Sequence, residues 1–121
     1  MISPEKAVQI AKGWIDAWNR HDLDSILSHY AEDIELTSPH VVRLMGYESG
    51  TVRGKDTLRV YFGKGLAAFP DLRFEMLEVF TGINSLVLRY KRHNGPIGAE
   101  VMVLNRKNEI EKVIAHYAEA K

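Results

Sequence analysis

The sequence predicts an α+β domain in which amino-terminal helices pack on one face of a curved antiparallel sheet. In the amino-terminal half, apolar residues recur with the spacing of amphipathic helices. In the carboxyl-terminal half, four strand-like segments are separated by Gly, Asn and Pro turn signals. Helices that come first and antiparallel strands that come last are typical of the α+β class.

The composition predicts one domain over residues 1–121. Hydrophobic residues make up 45% of the chain and charged residues 26%, as in ordinary globular proteins. Lys+Arg and Asp+Glu are both 16, so no basic excess exists to bind nucleic acid. The chain has no cysteine, its amino terminus lacks a signal-peptide pattern, and no apolar run approaches the roughly 20 residues that span a bilayer. We therefore expect a cytoplasmic protein that binds neither membrane nor nucleic acid.

Three helices are predicted from caps and apolar spacing. Ser3 is a suitable N-cap with Pro4 at the first helical position, and Asp22 can cap a second, short helix. Gly54-Lys55-Asp56 opens the third helix, which ends at Pro70-Asp71. The apolar faces are Ala7, Ile10, Ala11, Trp14, Ala17 and Trp18 in the first helix; Ile26, Leu27 and Tyr30 in the second; Leu58, Tyr61, Phe62, Leu66 and Phe69 in the third.

Six strands are expected in the remaining segments. Residues 34–38 alternate between apolar and polar, and Pro39 ends that strand because it has no N–H. Residues 41–45 form a possible second strand. The last four strands are predicted at 72–80, 85–92, 97–105 and 109–117.

The register of the last hairpin predicts which side chains point inward. A turn near Lys107-Asn108 pairs Met102 with Val113, Leu104 with Glu111, and Glu100 with Ala115. One face then holds Glu100, Met102, Leu104, Val113, Ala115 and Tyr117, and the other holds Ala99, Val101, Val103, Ile114 and His116. Both faces are largely apolar, so both should be covered. Helices cover one face, and a second subunit is the natural cover for the other, which predicts a homodimer through the outer sheet face.

Several segments together resemble the nuclear transport factor 2-like superfamily, specifically its SnoaL-like (polyketide-cyclase-like) branch. They are residues 17–24, 30–33, 38–39, 52–55, 69–74 and 110–117. The resemblance implies a cystatin-like cone: three helices close one mouth of a strongly curved antiparallel sheet that encloses one cavity. It also implies that dimerisation through the sheet is common. It does not fix the reaction, because the superfamily contains isomerases, dehydratases, cyclases, hydrolases and proteins without a known reaction.

The catalytic groups of ketosteroid isomerase, an enzyme of this superfamily, are not present at the aligned positions. That enzyme uses a tyrosine and a protonated aspartic acid to hold an oxyanion, and a second aspartate as base. The aligned residues here are Trp14, Ser38 and, approximately, Met102. None of the three side chains can perform the corresponding role.

Glu100, His40 and Tyr90 are the candidate catalytic residues. A carboxyl group in an apolar cavity has a raised pKa and can act as a general acid or base near neutral pH. The alternative for Glu100 is a glutamate that reaches water or pairs with an arginine, and for His40 it is a solvated loop histidine. Tyr90, like Tyr61 and Tyr117, can donate its phenolic O–H to a ligand carbonyl. Arg89 is a further candidate for binding an anion, although a position facing solvent or a carboxylate is favoured for it.

The predicted ligand-binding residues are mostly apolar and aromatic. Rings at helical spacing either fill a core or form a box for a flat ligand. The five histidines show no ligand spacing, so no metal is expected, and no cofactor is expected either. The predicted lining comprises Trp14, Trp18, Tyr30, Leu36, Ser38, Phe62, Leu66, Phe69, Met102, Leu104 and Tyr117.

Three function classes follow from this lining. The first is a cofactor-free isomerase, lyase or cyclase-type enzyme acting on a small apolar carbonyl compound, with Glu100 moving the proton and a tyrosine or Trp18 holding the oxygen. The second is a non-catalytic module that binds a hydrophobic molecule. The third is a protein-interaction adaptor that uses the sheet surface.

Overall fold

Ten elements make up the fold in a computed structural model that describes residues 1–118. Residues 119–121, the end of the predicted domain, lie outside the described part. The helices are α1 (Pro4–Asn19), α2 (Leu23–Leu27), α3 (Pro39–Met45) and α4 (Lys55–Ala68). The strands are β1 (Tyr30–Thr37), β2 (Thr51–Arg53), β3 (Phe74–Thr81), β4 (Ser85–Arg92), β5 (Ile97–Leu104) and β6 (Ile110–Ala118). None of the helices in residues 1–118 is long and apolar enough to cross a membrane.

The six strands form one sheet in the order β2-β1-β6-β5-β4-β3. The predicted antiparallel pairing is confirmed for the run from β3 to β6. β1 also pairs in antiparallel with β2, a strand that the sequence did not predict. The antiparallel prediction is wrong at one junction, because β1 pairs with β6 in parallel. These two strands lie far apart in the sequence, and the long connection between them leaves the direction of pairing free, whereas a tight turn would impose an antiparallel one.

Local side-chain chemistry starts the first two helices as predicted. The Ser3 hydroxyl accepts a hydrogen bond from the Lys6 N–H at 3.1 Å, and Pro4 occupies the first helical position. The Asp22 carboxylate accepts from the Ser25 N–H at 3.2 Å. His21, between the two helices, has a positive φ of 55°.

The prediction of a strand at residues 41–45 is wrong, because this segment is the helix α3. The Ser38 hydroxyl accepts from the His40 N–H at 3.2 Å, and Pro39 stands at the first helical position. Gly46 ends the helix with a left-handed φ of 71°. Residues 1–118 therefore contain four helices and not the three predicted, and α3 contributes His40 and Leu44 to the cavity lining.

Tyr30 was predicted at the end of the second helix, but it is the first residue of β1. The helix α2 ends at Leu27, so the chain is already extended when it reaches Tyr30. The phenol is fully buried. The burial of Tyr30 was predicted correctly, but its assignment to the second helix was wrong, because it belongs to β1.

The β5–β6 register agrees with the prediction over most of the hairpin. Met102 pairs with Val113 and Glu100 with Ala115. Leu104 pairs with Ile110 and not with Glu111, because the register shifts by one residue after Val103. The predicted inner face is buried apart from the half-buried Tyr117, and the predicted outer face is half-buried or exposed. The face assignment is thus confirmed.

Asn19 fastens the end of α1 to the start of β3. Its side-chain amide donates to the Phe74 carbonyl at 2.9 Å and its carbonyl accepts from the Phe74 N–H at 2.7 Å. His21 lies 2.7 Å from the Leu72 carbonyl through Nε2. These bonds hold the aromatic end of α1 over the inner face of the sheet, where Trp14, Trp18 and Phe74 meet.

Candidate functional site

A small cavity lies between the inner face of the sheet and the helices α1, α3 and α4. Its volume, measured as the space open to the centre of a water molecule, is about 60 Å³. Its walls are mostly aromatic. The lining residues are Trp14, Trp18, Tyr30, Leu36, Ser38, His40, Leu44, Tyr61, Phe62, Gly65, Phe69, Leu72, Phe74, Tyr90, Arg92, Glu100, Ala115 and Tyr117.

Most of the predicted site residues line this cavity. They are Trp14, Trp18, Tyr30, Leu36, Ser38, His40, Phe62, Phe69, Tyr90, Glu100 and Tyr117. Leu66, Met102 and Leu104 do not line it. Met102 and Leu104 share the inner face with Glu100 but lie farther along β5, where side chains fill the core. Leu66 packs against the core beside Gly65, and it is Gly65 that borders the cavity.

Glu100 is a buried carboxyl group in an otherwise largely apolar wall. Its exposed fraction is 4%. The Tyr90 hydroxyl donates a hydrogen bond to Glu100 Oε2 across 3.2 Å. Burial raises the pKa of Glu100 to about 7, and the Tyr90 bond and the positive charge of Arg92 oppose that rise. Both protonation states are therefore populated near neutral pH, as a general acid or base requires.

Tyr90 owes its place to the glycine opposite it. Gly98 pairs with Tyr90 across β4 and β5. A Cβ on Gly98 would lie 2.6 Å from Tyr90 Cζ and 2.8 Å from its hydroxyl oxygen. The absence of a side chain at Gly98 thus gives the phenol the space from which it reaches Glu100.

The Tyr30 hydroxyl and the Trp18 indole are hydrogen-bond donors at the cavity wall that remain available to a ligand. Trp14 Nε1–H donates to the Tyr30 hydroxyl at 2.9 Å, and that hydroxyl has no acceptor for its own proton among residues 1–118. The Trp18 Nε1–H is buried and has no partner within the same residues. A buried donor without a protein acceptor is uncommon in native proteins, so this indole N–H is suited to donate to a bound molecule.

The aromatic wall is continuous. Trp14 stacks on Phe74 with 5.6 Å between ring centroids, and Phe74 lies 4.7 Å from Tyr90. Trp18 meets Phe62 edge-on at 4.8 Å. Rings at these separations pack rigidly, so the cavity favours a flat apolar ligand.

A cationic cluster lies at the mouth of the cavity. Arg92 Nη1 is 2.9 Å from His40 Nε2, and Arg43 Nη1 is 2.9 Å from His40 Nδ1. The Arg92 guanidinium is stacked near Phe69 and Tyr117, at 5.5 Å and 5.3 Å from the ring centroids. His40 is thus a half-buried residue of α3, which corrects the alternative of a solvated loop histidine.

Arg92 was missed by the sequence reasoning, which considered Arg89. Arg89 instead pairs with Glu78 at 3.0 Å on the outer face, in agreement with the favoured alternative. The signal for Arg92 was the alternation along β4. Leu86, Leu88, Tyr90 and Arg92 form a continuous buried face. Leu44, Tyr61, Gly65, Leu72, Phe74 and Ala115 were also missing from the predicted lining; Leu72 and Phe74 carry no signal beyond being apolar.

No cluster of three or more His, Asp or Glu side chains within residues 1–118 has the arrangement of a metal site. The groups that can do chemistry in the cavity are therefore the Glu100 carboxyl, the hydroxyl and indole donors, and the cations at the mouth.

Within residues 1–118, the helices packed on one face of a curved sheet define an α+β cone of the cystatin-like class. The SnoaL-like domain family matches residues 11–119, and this chain belongs to it. No curated protein matches the sequence significantly.

Solved structures of similar proteins agree with this family. A SnoaL-like protein of unknown function from Burkholderia thailandensis is 40% identical, with 98% of each chain covered and a TM-score of 0.93. A candidate isomerase of the SnoaL-like family from Agrobacterium tumefaciens is 19% identical, with 95% of this chain and 99% of that one covered and a TM-score of 0.76. A candidate ketosteroid isomerase from Kribbella flavida is 15% identical, with 97% and 81% covered and a TM-score of 0.75. The last two show the shared fold alone.

Proposed function

We propose that this protein is a cofactor-free enzyme of the isomerase, lyase or cyclase type, acting on a small, mostly apolar carbonyl compound. The observation that carries the proposal is Glu100, a buried carboxyl group with a pKa of about 7 on the wall of an aromatic cavity. A proton carrier is most effective when its pKa lies near the working pH.

The chemistry is a proton transfer next to a carbonyl group. The ionised Glu100 takes a proton from the carbon beside the carbonyl, and the electron pair of that C–H bond moves to the carbonyl oxygen as an enolate. The Tyr30 O–H or the Trp18 Nε1–H donates to this oxygen, since neither has an acceptor among residues 1–118. The protonated Glu100 then returns the proton to a different atom, which completes an isomerisation.

Tyr90 positions the carboxyl group. Its hydroxyl occupies Oε2 and leaves Oε1 for the substrate. The same bond stabilises the ionised form and so opposes the effect of burial on the pKa. Tyr90 thus fixes the orientation of the Glu100 carboxyl group and also lowers its pKa.

Isomerisation of cyclohex-3-enone to its conjugated isomer, followed by ultraviolet absorbance, tests the proposal. Glu100→Gln keeps the shape of the side chain but cannot carry a proton. We expect it to lose roughly 100-fold or more of the rate, as removal of a general base does. The matched control is Glu75→Gln on β3, an exposed glutamate that should keep the wild-type rate. Equal rates for wild type and Glu100→Gln would remove Glu100 from the mechanism.

A second candidate is a module that holds a small apolar molecule without reacting it. The observation that favours it is the continuous aromatic wall, which needs no proton transfer to bind a flat ligand. The wild type and Glu100→Gln separate the two candidates. If both bind the small apolar molecule and the wild type does not convert it, the result favours the binding module.

We also propose that the protein is a homodimer through the outer face of the sheet. Phe80, Val87, Val101 and Ile114 form an unbroken row of cross-strand partners from β3 to β6. Phe80 is 52% exposed and Ile114 is 37% exposed in the single chain. Light scattering tests this: Ile114→Glu should give monomers, whereas Val60→Glu, an exposed apolar position on α4, should not change the mass. An Ile114→Glu variant with the mass of the wild type would contradict this interface.

A further inference from the structure

Arg92 is a buried cation that forms no direct ion pair with a carboxylate of residues 1–118. Only 7% of the residue is exposed, and it borders the cavity. Among residues 1–118 no carboxylate lies within 4.0 Å of its guanidinium nitrogens. Its neighbours are the rings of Phe69 and Tyr117 and the imidazole of His40. A buried arginine is normally paired with an anion.

His40 cannot satisfy both arginines that approach it. Burial, together with the charges of Arg92 and Arg43, lowers the pKa of His40 to about 4, so the ring is neutral near pH 7. A neutral imidazole has one N–H and one lone pair. It accepts a hydrogen bond from one guanidinium, and its N–H faces the donors of the other. The mouth therefore presents more N–H donors than acceptors, and one acceptor from outside the chain would relieve the excess.

We propose that Arg92 and His40 form a subsite for the carboxylate of the ligand, which is therefore a small apolar acid whose ring lies in the aromatic cavity. This inference rests on the proposed function, because it names the substrate class of the same site. The planar guanidinium matches the two oxygens of a carboxylate, and its contact with two rings fixes its orientation. The narrow, aromatic interior suits the apolar body of such an acid better than a phosphate group.

Binding of phenylacetate and of its neutral isostere phenylacetamide to the wild type, followed by tryptophan fluorescence, tests the subsite. Trp14 and Trp18 line the cavity and report on occupancy. We expect phenylacetate to bind roughly 10- to 100-fold more tightly, as one charge-assisted bidentate pair would give. Equal affinities for the acid and the amide would overturn the proposal. Tighter binding of inorganic phosphate than of phenylacetate would also overturn it and indicate a phosphate site.

Arg92→Met should abolish the preference for the acid. Arg89→Met is the matched control, since it removes an arginine three residues away on the outer face and should keep the preference. A preference that survives in Arg92→Met would place the anion elsewhere. If Arg92→Met does not fold, the Nε–H resonance of Arg92 in the wild type decides: it should shift with phenylacetate and not with phenylacetamide, and its failure to shift would reject the subsite.

These outcomes are separate from the test of Glu100. The rate of cyclohex-3-enone isomerisation does not depend on the carboxylate subsite, because that probe carries no carboxylate. Loss of the acid preference would therefore not decide whether Glu100 transfers a proton. Conversely, Glu100→Gln retains Arg92 and should still bind phenylacetate more tightly than phenylacetamide. A failed enzyme assay with an intact acid preference would refute the proposed reaction and keep the subsite, and the reverse result would keep the reaction and refute the subsite.

Discussion

Replacing Glu100 with glutamine should remove a large pH dependence from the stability of the protein. Burial raises the pKa of this carboxyl from 4.5 to about 7. Between these values the folded protein holds a proton that the unfolded chain has released, so the free energy of unfolding falls as the pH rises through this range and levels off above it. At about 1.4 kcal/mol per pH unit, the total loss is about 3 kcal/mol.

The quantity to measure is the difference in the free energy of unfolding between the wild type and Glu100→Gln at each pH. Burial lowers the pKa of both His29 and His40, so these rings add a slope of the opposite sign: the unfolded chain binds protons that the folded protein does not. These contributions are common to both proteins and largely cancel in the difference. Urea unfolding between pH 5 and pH 8, followed by tryptophan fluorescence, gives both curves.

We expect the wild type to lose stability relative to Glu100→Gln as the pH rises towards neutrality. The exposed Glu75→Gln on β3 serves as the control, and its difference from the wild type should stay nearly constant. A constant difference for Glu100→Gln as well would show that Glu100 is not desolvated in solution, and the proton-carrier assignment would lose its physical basis.

Three further changes probe the surroundings of this carboxyl and of the mouth. Tyr90→Phe removes the hydrogen bond to the ionised form and should raise the pKa of Glu100, seen in the ¹³C shift of its carboxyl carbon; a lower pKa would contradict the bond. Gly98→Ala should also raise the pKa of Glu100, because the added Cβ would displace the Tyr90 ring from its hydrogen bond to the carboxyl group. An unchanged pKa of Glu100 would show that the ring is not confined by Gly98. Ser38→Ala removes the cap of α3 and should lower the free energy of unfolding by about 1 kcal/mol in urea; no loss would mean that the cap is not stabilising.

The elements that the sequence predicted well are those specified by neighbouring residues. Ser3-Pro4 is a cap followed by a proline at the first helical position, and the structure has a helix there. Ser38-Pro39 is the same signal, and it starts α3 although Val41 and Val42 have a high strand propensity. A short apolar run fits either a strand or one turn of a buried helix, and here the cap decides.

Part of the cavity was predictable because side chains alternate along strands. The hairpin register places Glu100 inward, and the structure agrees. The same alternation places Leu104 inward, but it does not show whether an inward side chain reaches the cavity or the solid core. Leu104 was therefore predicted to line the cavity, although it is a core residue. Arg92 follows Tyr90 at the same parity, and its burial was missed because arginine is seldom buried. Only the fold shows that α3 brings His40 to that guanidinium.

The charge at the mouth and the proton on Glu100 are coupled. The positive charge of Arg92 lowers the pKa of Glu100 and so opposes the effect of burial. In the proposed complex, a ligand carboxylate neutralises that charge, and the pKa of Glu100 rises. By reciprocity, an acid binds more tightly when Glu100 is protonated, so its affinity should fall as the pH rises through about 7. Because the proposed reaction starts from the ionised carboxylate, an acid substrate should need a higher pH than a neutral one to reach its full turnover rate.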